Sequence, residues 1–413
     1  MTERADVIII GGGLIGLTQA LALAVHGIAS HVIDRADPAS MIAAGFDGRT
    51  SAISSSSMKM LSAIGLGDAM AGNGCPIGQI WVSDGLKPGA LDFVPAADDG
   101  FLGQMFENRF LRRTLYEAAM ANDAITLHMP ANIVSKVRDA SSAHVVLQDG
   151  DTLSASLMIV AEGRQSVTRD EANIKIAHWQ YGHSAMVGAI FHEKPHRNIA
   201  YEIFYPSGPF AVLPMLDGEG GRHRSAIVWS VDTADAGGYM KLSPRGYAAE
   251  LEKAMGAKDG RGGILGAIEL AAPLSTYKLG FHHAASITAE RLVLIGDSAH
   301  GIHPIAGQGL NLGLRDVAAL AEVLVDGMRL GLDFGDAQLL DRYSRWRSVD
   351  TLLVAASTDS LNRLFSVPGK TASAVRRFGM GLVQRTAPAK AFFMAEARGE
   401  SGALPKLLRG VRA

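Results

Sequence analysis

The chain has 413 residues, of which 48% are hydrophobic and 19% charged, and its formal net charge is −2. This length favours two domains, and the composition is that of a globular protein. A net charge near zero provides no global field for nucleic acid, so we expect no nucleic-acid partner. The single cysteine, Cys75, excludes an intramolecular disulfide and a cysteine-cluster metal site, which fits a cytoplasmic location.

The first long apolar run, residues 7–25, is hydrophobic enough to resemble a membrane span. Glycines interrupt its middle at Gly11, Gly12, Gly13 and Gly16. A strand, a tight turn and a helix explain these residues better than a lipid-embedded helix does. We therefore predict neither a signal peptide nor a membrane span at this end of the chain.

The same residues fit the start of a βαβ unit. We predict a buried strand at Asp6–Ile10, a glycine turn, a helix at Leu17–His26 and a second strand at Ala29–Ile33 that ends at Asp34. Because G-x-G-x-x-G stands between strand and helix and an acid follows about 20 residues later, the pattern predicts a dinucleotide site.

Each residue of this pattern has a physical role. Gly11 forms the turn, Gly13 lets the backbone approach a pyrophosphate, and Gly16 lets the helix pack closely on the strand. Asp34 would accept hydrogen bonds from the adenosine ribose. The pattern by itself does not distinguish NAD from FAD.

Two arginines further along are candidates for cofactor contacts. Arg49 lies in a Gly/Ser/Thr-rich loop at residues 47–54, and Arg112 lies on a predicted amphipathic helix at residues 108–119. A solvated loop arginine and a solvated helix face are the alternatives, and both stay open at this point.

A second motif runs from Arg291 to Asp316. An apolar strand, Leu292–Ile295, is followed by Gly296-Asp297, then by a loop with Pro304 and Gly307-Gln308-Gly309. From Leu310 the apolar residues recur with helical spacing. Glycines before a helix let a ligand approach its free N–H groups, where the dipole favours negative charge. A carboxylate, glycines and a helix N-terminus together predict a polyhydroxylated, partly anionic ligand.

The region between the two motifs has a different character. Residues 72–100 are rich in Gly, Pro and Asp, and from Ile174 to Pro273 short strand patterns alternate with turns. We therefore predict an α/β fold in which a Rossmann-like dinucleotide-binding domain is discontinuous and a sheet-rich substrate domain is inserted into it. The dinucleotide-binding domain takes residues 1–72, 101–173 and 285–360, and the substrate domain takes 73–100 and 174–284.

The C-terminal region, residues 361–413, is predicted to be helical and basic. It contains ten Lys and Arg residues against Glu396 and Glu400, which gives this region a net charge of +8. Because apolar residues lie between these charges, the region is a candidate surface for anionic lipid at the inner face of the membrane, or for an acidic protein partner. A packed helical tail with solvated basic faces is the alternative.

Three separated motifs, Gly11 to Asp34, Asp47 to Ser54 and Gly296 to Asp316, together resemble one family. They are similar to the group A FAD-dependent aromatic hydroxylases, the para-hydroxybenzoate hydroxylase superfamily, and more closely to its ubiquinone-biosynthesis branch. The stretches Gly208–Pro214 and Thr358–Phe365 and the chain ending also resemble that branch, so the resemblance covers essentially the whole chain.

The resemblance implies a role for particular positions. Gly11, Gly13 and Gly16 would hold the FAD pyrophosphate, Asp34 the ribose, and the backbone at Val134 the adenine. Asp297 would contact the ribityl and pyrophosphate region, while Arg49 and Arg112 would contact the cofactor. Pro304 would lie beside the reacting face of the flavin. The segment facing the N1–C2=O edge of the ring would be Gly307, Gln308, Gly309, Leu310 and Asn311.

The chain departs from the family at two positions. Glu162-Gly163 replaces the usual Asp-Gly, and His183 stands where the branch often has Gln, so the roles of both residues are open. His300 and His303 resemble a metal pair, but no third ligand has suitable spacing, so we predict no metal site.

The reaction implied by the resemblance is hydroxylation of an electron-rich phenol, most simply a polyprenylated phenol of ubiquinone biosynthesis. NAD(P)H would reduce FAD, and O₂ would add to give a C4a-hydroperoxyflavin that delivers oxygen to the ring. A hydroxylase of a soluble aromatic, a flavin oxidoreductase without oxygenation and an idle flavin-binding subunit of a biosynthetic complex are the alternatives. The residues identify no general base.

Overall fold

The computed structural model describes residues 2–43, 45–86, 91–257, 263–301, 307–348, 350–351 and 369–413. Two features discussed above, Pro304 and the stretch Thr358–Phe365, lie outside the described residues.

The strands of the described residues are, in chain order, β1 (Thr2–Arg4), β2 (Val7–Ile10), β3 (Ser30–Ile33), β4 (Thr50–Ser54), β5 (Cys75–Ile77), β6 (Gln79–Asp84), β7 (Leu91–Phe93), β8 (Gly103–Glu107), β9 (Ile125–His128), β10 (Ile133–Arg138), β11 (Ala143–Leu147), β12 (Thr152–Ala155), β13 (Leu157–Val160), β14 (Ile176–His192), β15 (Ile199–Tyr205), β16 (Gly208–Met215), β17 (Arg224–Asp232), β18 (Ile268–Leu270), β19 (Ser275–Ala284), β20 (Thr288–Ala289), β21 (Leu292–Leu294) and β22 (His300–Gly301).

The helices of the described residues are α1 (Leu14–Ala24), α2 (Pro38–Ala43), α3 (Ser55–Leu61), α4 (Gly67–Met70), α5 (Asn108–Met120), α6 (Val167–Glu171), α7 (Thr233–Tyr239), α8 (Pro244–Ala254), α9 (Gln308–Arg329), α10 (337–348), α11 (Lys370–Arg385) and α12 (Ala387–Arg398). A π-helical turn at Ser62–Leu66 joins α3 to α4.

A six-stranded sheet in the order β20-β21-β13-β2-β3-β9 forms the centre of the first domain. All of its neighbouring strands are parallel except the β20–β21 pair. Every residue of β2, β13 and β21 is buried, as expected for parallel strands covered on both faces. Helices α1 and α9 contact each other in the core beside this sheet, so both helix N-termini lie at its carboxyl end.

A four-stranded sheet in the order β1-β12-β11-β10 lies beside it. The hairpin between β11 and β12 is closed by a hydrogen bond of 2.8 Å from the N–H of Leu147 to the carbonyl of Asp151. Gly150 adopts φ 95° in this turn, a conformation that glycine adopts without steric cost. A tight hairpin therefore joins β11 to β12.

A three-stranded sheet, β4-β8-β5, corrects one prediction. The sequence predicts a loop at residues 47–54, but Thr50–Ser54 forms β4, which pairs antiparallel with β8. The Ser- and Thr-rich composition indicates a loop locally, whereas pairing with a strand about 50 residues away satisfies the backbone. Only the part around Arg49 remains outside regular structure.

A nine-stranded sheet contains β6, β7 and β14–β19 from the region predicted as the substrate domain, in the order β22-β19-β14-β17-β16-β15-β6-β7 with β18 paired to β14. Its outer face is covered by α7 and α8. Its inner face lies against the three-stranded sheet, because alternate residues of β15 and β16 share a hydrophobic cluster with Met105 of β8 and with Leu102, which immediately precedes β8. The inner face therefore looks toward the first domain.

Helix boundaries also differ from expectation at one important point. Helix α1 begins at Leu14 rather than at Leu17, because Gly13 takes the N-cap position and the last part of the glycine motif is already helical. At the other end of the chain α11 and α12 are helical as predicted. None of the helices in the described ranges is long and apolar enough to cross a membrane.

Candidate functional site

The glycine turn between β2 and α1 leaves open space where a ligand would lie. A Cβ atom on Gly16 would stand 1.8 Å from the carbonyl oxygen of Gly11, and one on Gly11 would stand 2.4 Å from that of Ala161. A Cβ on Gly13 would meet nothing within 4 Å. Packing therefore requires glycine at positions 11 and 16. Gly13 instead borders open space at the N-terminus of α1, which has no side-chain cap. This cradle fits a pyrophosphate.

Asp34 is held at the carboxyl end of β3 by backbone donors. Its Oδ2 accepts from the N–H of Gly12 at 2.7 Å, and its Oδ1 accepts from the N–H of Ala36 at 2.8 Å. Each carboxylate oxygen has a further lone pair, so the oriented carboxylate can still accept hydrogen bonds from a ribose.

Val134 lies at an irregularity in β10. Its neighbours Ile133 and Ser135 pair with Leu147 and Val146, and the register shifts between them. A bulge residue is left out of the strand ladder, so the N–H and carbonyl of Val134 are available to another partner. The predicted adenine contact through this backbone is compatible with that geometry.

Arg49 and Arg112 are brought together by a carboxylate that the sequence analysis did not single out. Asp47 Oδ2 lies 2.6 Å from Nη2 of Arg49 and 3.7 Å from Nη2 of Arg112. Burial alone would raise the pKa of Asp47, but hydrogen bonds and charge from Arg49, with a smaller effect of Arg112, lower it on balance. The N–H of Asn108 donates to the carbonyl of Arg49 at 3.0 Å, which fixes the loop to the start of α5.

Asp297 follows β21 in a short turn, Gly296–Ser298. Its Oδ2 accepts from Nε of Arg164 at 3.3 Å, and its carbonyl accepts from Nε2 of His282 at 2.8 Å. Because the backbone is held by His282 while about half of the carboxylate's surface is exposed, the side chain is available to a ligand at the carboxyl end of the sheet.

The N-terminus of α9 is clamped to β4. Gly307 is the N-cap with φ 64°, and no side chain of the described residues caps the helix, so its first N–H groups can face a ligand. Asn311 Nδ2 donates to the carbonyl of Ala52 at 2.9 Å, and its Oδ1 accepts from the N–H of Ser54 at 3.0 Å. This geometry presents the backbone of residues 307–311 as an anion-stabilising edge.

Comparison with known protein families identifies the cofactor. A family model described as an FAD binding domain matches residues 4–354. The chain belongs to this FAD-binding family. The resemblance stated from the three motifs is confirmed, and FAD is the cofactor.

Two relatives and one solved structure extend the comparison. The chain is 42% identical to "Ubiquinone hydroxylase UbiL" of Rhodospirillum rubrum over 410 residues, covering 98% of this chain and 93% of that protein. It is 31% identical to "3-demethoxyubiquinol 3-hydroxylase" of Escherichia coli, covering 88% and 90%. The crystal structure of p-nitrophenol 4-monooxygenase PnpA from Pseudomonas putida has a TM-score of 0.77 and 16% identity, covering 97% and 100%. The chain is an FAD-dependent hydroxylase with the predicted fold class.

The residues of this site fit FAD. Three independent features could contact it, namely the open space at Gly13, the oriented carboxylate of Asp34 and the uncapped start of α9 at Gly307. Gly309 also has nothing within 4 Å of an added Cβ, so the backbone there can approach a ring. The side chain of Leu310 is partly buried against the core, so the part of this residue that can face the cofactor is its backbone. Gln308 is the first residue of α9.

Behind this edge lies a buried charge that sequence reasoning missed. Asp316 is fully buried on α9, and it accepts from the N–H of Gly296 at 2.8 Å and from Nε of Arg347 at 2.6 Å. The acid ties the turn that carries Asp297 to the helix that carries Asn311. The only sequence signal for it is a charged residue in an otherwise apolar helix face.

The two departures from the family have local explanations. Glu162 Oε2 accepts from Oγ of Ser166 at 2.6 Å and from the N–H of Thr168 at 2.9 Å, so it caps the start of α6. His183 lies opposite Asp232 in the β14–β17 pair, with its Nε2 3.5 Å from a carboxylate oxygen of that residue. This contact favours the interpretation of His183 as a strand residue with a partner.

The histidines considered for metal binding are partly accounted for. His300 is engaged by Asp316, and His303 lies outside the described residues. Elsewhere in the described chain, Glu3, His31 and His128 bring their ligand atoms within 4.8 Å of one another. The two rings form a hydrogen bond of 3.1 Å between Nδ1 of His31 and Nε2 of His128, which explains their approach without an ion.

Proposed function

We propose that the protein hydroxylates the ring of a polyprenylated phenol intermediate of ubiquinone biosynthesis, using NAD(P)H as reductant and O₂ as the oxygen source. The observation that carries this proposal is the start of α9, which Asn311 clamps to β4 and whose Leu312 packs against Phe281 of the nine-stranded sheet. When bound there, FAD supplies the redox and oxygen-transfer chemistry. The full-length similarity to ubiquinone hydroxylases supports the substrate class.

The chain's own residues bind and orient the cofactor and exclude water. The N–H groups at the start of α9 would stabilise negative charge on the flavin. The nucleotide end of the cofactor would be held by Asp34, Asp297 and the turn at Gly13. Asp47 pairs with Arg49 and Arg112 and so holds these two positive charges together near the cofactor. Pro304 beside the reacting face remains part of this proposal.

The substrate would lie between the start of α9 and the inner face of the nine-stranded sheet. Strands β15 and β16 would form part of the pocket wall. On these strands Phe204, Ala211 and Leu213 face inward, whereas Ile203 and Phe210 pack outward against the α8 side. The inward residues are small or apolar, which suits an aromatic ring with a hydrocarbon tail.

We also propose that the surface formed by α11 and α12 contacts the anionic inner face of the membrane. Val375, Phe378 and Leu382 recur with helical spacing on α11 and are exposed, as is Phe392 on α12. Arg385 lies next to this apolar surface. Several other basic residues of the region pair with the body of the protein, as Arg376 does with Asp84, so only part of the +8 charge is available to lipid.

The decisive experiment is anaerobic reduction of the purified protein by NADH or NADPH, followed by oxygen with or without a prenylated phenol. We expect bleaching of the flavin spectrum on reduction, and with the phenol a product that has gained one oxygen atom from labelled O₂. Reoxidation that yields only hydrogen peroxide with every phenol tested would contradict the proposal and favour an oxidoreductase without oxygenation. Failure to bind FAD would favour neither reading.

A further inference from the structure

The inner face of the nine-stranded sheet carries one acidic side chain in an apolar row. Along β15, Tyr201, Ile203 and Tyr205 pack on the outer side with Tyr247 and Leu251 of α8. Ala200 and Phe204 join the inner cluster with Leu102 and Met105. Because side chains alternate along a strand, Glu202 faces inward, and it is only 8% exposed.

The neighbours of Glu202 connect it to a cavity beside the start of α9. Val82 of β6 and Ala211 of β16 are its cross-strand partners. Ile80 lines a cavity together with Asn311. Because Ile80 pairs with Ala200, two residues before Glu202, Ile80 and Glu202 are diagonal neighbours on one face of the sheet. The carboxyl group is therefore close to the space that the start of α9 borders.

No hydrogen bond or ion pair from any residue that the structure describes reaches the Glu202 carboxyl group. The other charged groups on this face are already paired. Asp84 accepts from Arg376 Nε at 2.9 Å, and Arg224 lies 2.9 Å from Glu107. A buried carboxyl group with no partner costs stability, and such groups are concentrated at functional sites.

We propose that Glu202 is the general base that accepts the hydroxyl proton of the phenol substrate, an inference that rests on the proposed function. In this step the phenol O–H bond breaks, the proton forms an O–H bond with the Glu202 carboxylate, and the electron pair stays on the phenol oxygen. The added electron density activates the ring toward an electrophilic oxygen. The step needs no oxidant or further reactant.

The acidity of the group suits this role. Burial raises the pKa of Glu202 to about 8. A phenol has a pKa of about 10, so the proton transfer is uphill by about 2 pKa units instead of the roughly 6 expected for an ordinary carboxylate. The base form predominates only above about pH 8, which makes the role visible as a pH dependence.

The test compares Glu202→Gln with the wild-type holoenzyme in binding and in turnover. Binding of a prenylated phenol and of its O-methyl ether is followed without reductant, through the change in flavin absorbance, from about pH 6 to about pH 9. For wild type we expect phenol binding to tighten about tenfold as Glu202 ionises, because a charged acceptor strengthens the hydrogen bond from the hydroxyl group. The ether, which has no proton to donate, and the Gln variant should not show this tightening.

Turnover gives the second readout. Wild-type kcat should rise with pH to a plateau above about pH 8, whereas Glu202→Gln should lose at least about 100-fold in kcat and lose that limb of the profile. Glu202→Asp should restore part of both. Glu250→Gln on α8, a half-buried glutamate on the far side of the sheet that pairs with Lys253, is the matched control and should behave as wild type.

The outcomes separate the two proposals. If wild type hydroxylates the phenol and Glu202→Gln keeps its kcat, its pH profile and its phenol affinity, Glu202 is not the base, although the proposed function stands. If wild type hydroxylates no phenol, the proposed function fails, and the binding titration still reports whether Glu202 accepts a hydrogen bond from the hydroxyl group.

Discussion

Asp316 accepts a hydrogen bond of 2.6 Å from Nε2 of His300, and both side chains are buried. His300 closes the β19–β22 pair immediately before the segment that contains Pro304, and Asp316 lies on the helix whose first turn contains Asn311. One carboxylate thus connects two parts of the flavin site. Arg347 completes the pairing from α10.

Replacing Asp316 by Asn should destabilise the fold by about 3–5 kcal/mol, because the buried Arg347 keeps only Asp350 as a charged partner and His300 loses its carboxylate acceptor. Urea unfolding of the FAD-bound protein measures this difference. Asp341→Asn, in an exposed pair with Arg345, is the control and should change stability by no more than about 0.5 kcal/mol. Equal effects of the two variants would show that the buried contact contributes little.

The same carboxylate should make stability sensitive to acid. Burial alone would raise the pKa of Asp316, but His300 and Arg347 lower it on balance. A carboxyl group with a lowered folded-state pKa stabilises the protein above its unfolded pKa, 3.8, and that contribution is lost as pH falls through the folded value. The stability difference between wild type and Asp316→Asn should therefore shrink on acidification below about pH 4.

Gly13→Val should leave a folded protein that no longer retains FAD. An added Cβ meets nothing within 4 Å in the protein, so the side chain enters only the space reserved for the pyrophosphate. Absorbance of the purified variant gives the flavin content, and circular dichroism gives the folded state. Gly16→Ala is the contrasting variant, because its Cβ would stand 1.8 Å from a carbonyl oxygen and should impair folding itself. Full FAD content in Gly13→Val would refute the assignment of this turn.

Glu202→Gln should stabilise the protein at alkaline pH and not at acid pH. The unfolded carboxyl group ionises above 4.5, whereas the buried one stays protonated to about 8, so wild type loses stability as pH rises through this window. We expect a gain on the order of 4 kcal/mol for the variant near pH 8 and almost none near pH 4. A gain of the same size at both pH values would mean that ionisation is not its cause.

Replacing Phe378 and Leu382 together by Ser should weaken binding to anionic vesicles at least about tenfold, because two exposed apolar side chains no longer enter the lipid interface. Co-sedimentation at low salt measures the bound fraction. Leu330→Ser removes an equally exposed leucine at the far end of α9 and should leave binding unchanged. Undiminished binding of the double variant would leave α11 as a packing element.

Much of the nucleotide site could be read from the sequence, because its signals are local. The βαβ pattern around Gly11, the acid at Asp34 and the glycines before α9 each combine a motif with a strand or helix of the right period. The similarity of whole motifs then identified FAD. The exact start of α1 and the strand at residues 50–54 were predicted wrongly, since a cap and a long-range strand pair decide them.

The sequence by itself determined the fold class and the cofactor, and it predicted the positions that would cradle it. Only the tertiary structure decided which charged residues act together, because Asp316 and Arg347, or Asp47 and Arg112, meet through packing that no local period encodes. The same holds for Glu202, whose inward direction follows from β15 but whose burial follows from the sheets that cover it. Short-range pattern fixes backbone conformation, and the environment that sets a pKa or an ion pair is assembled from distant parts of the chain.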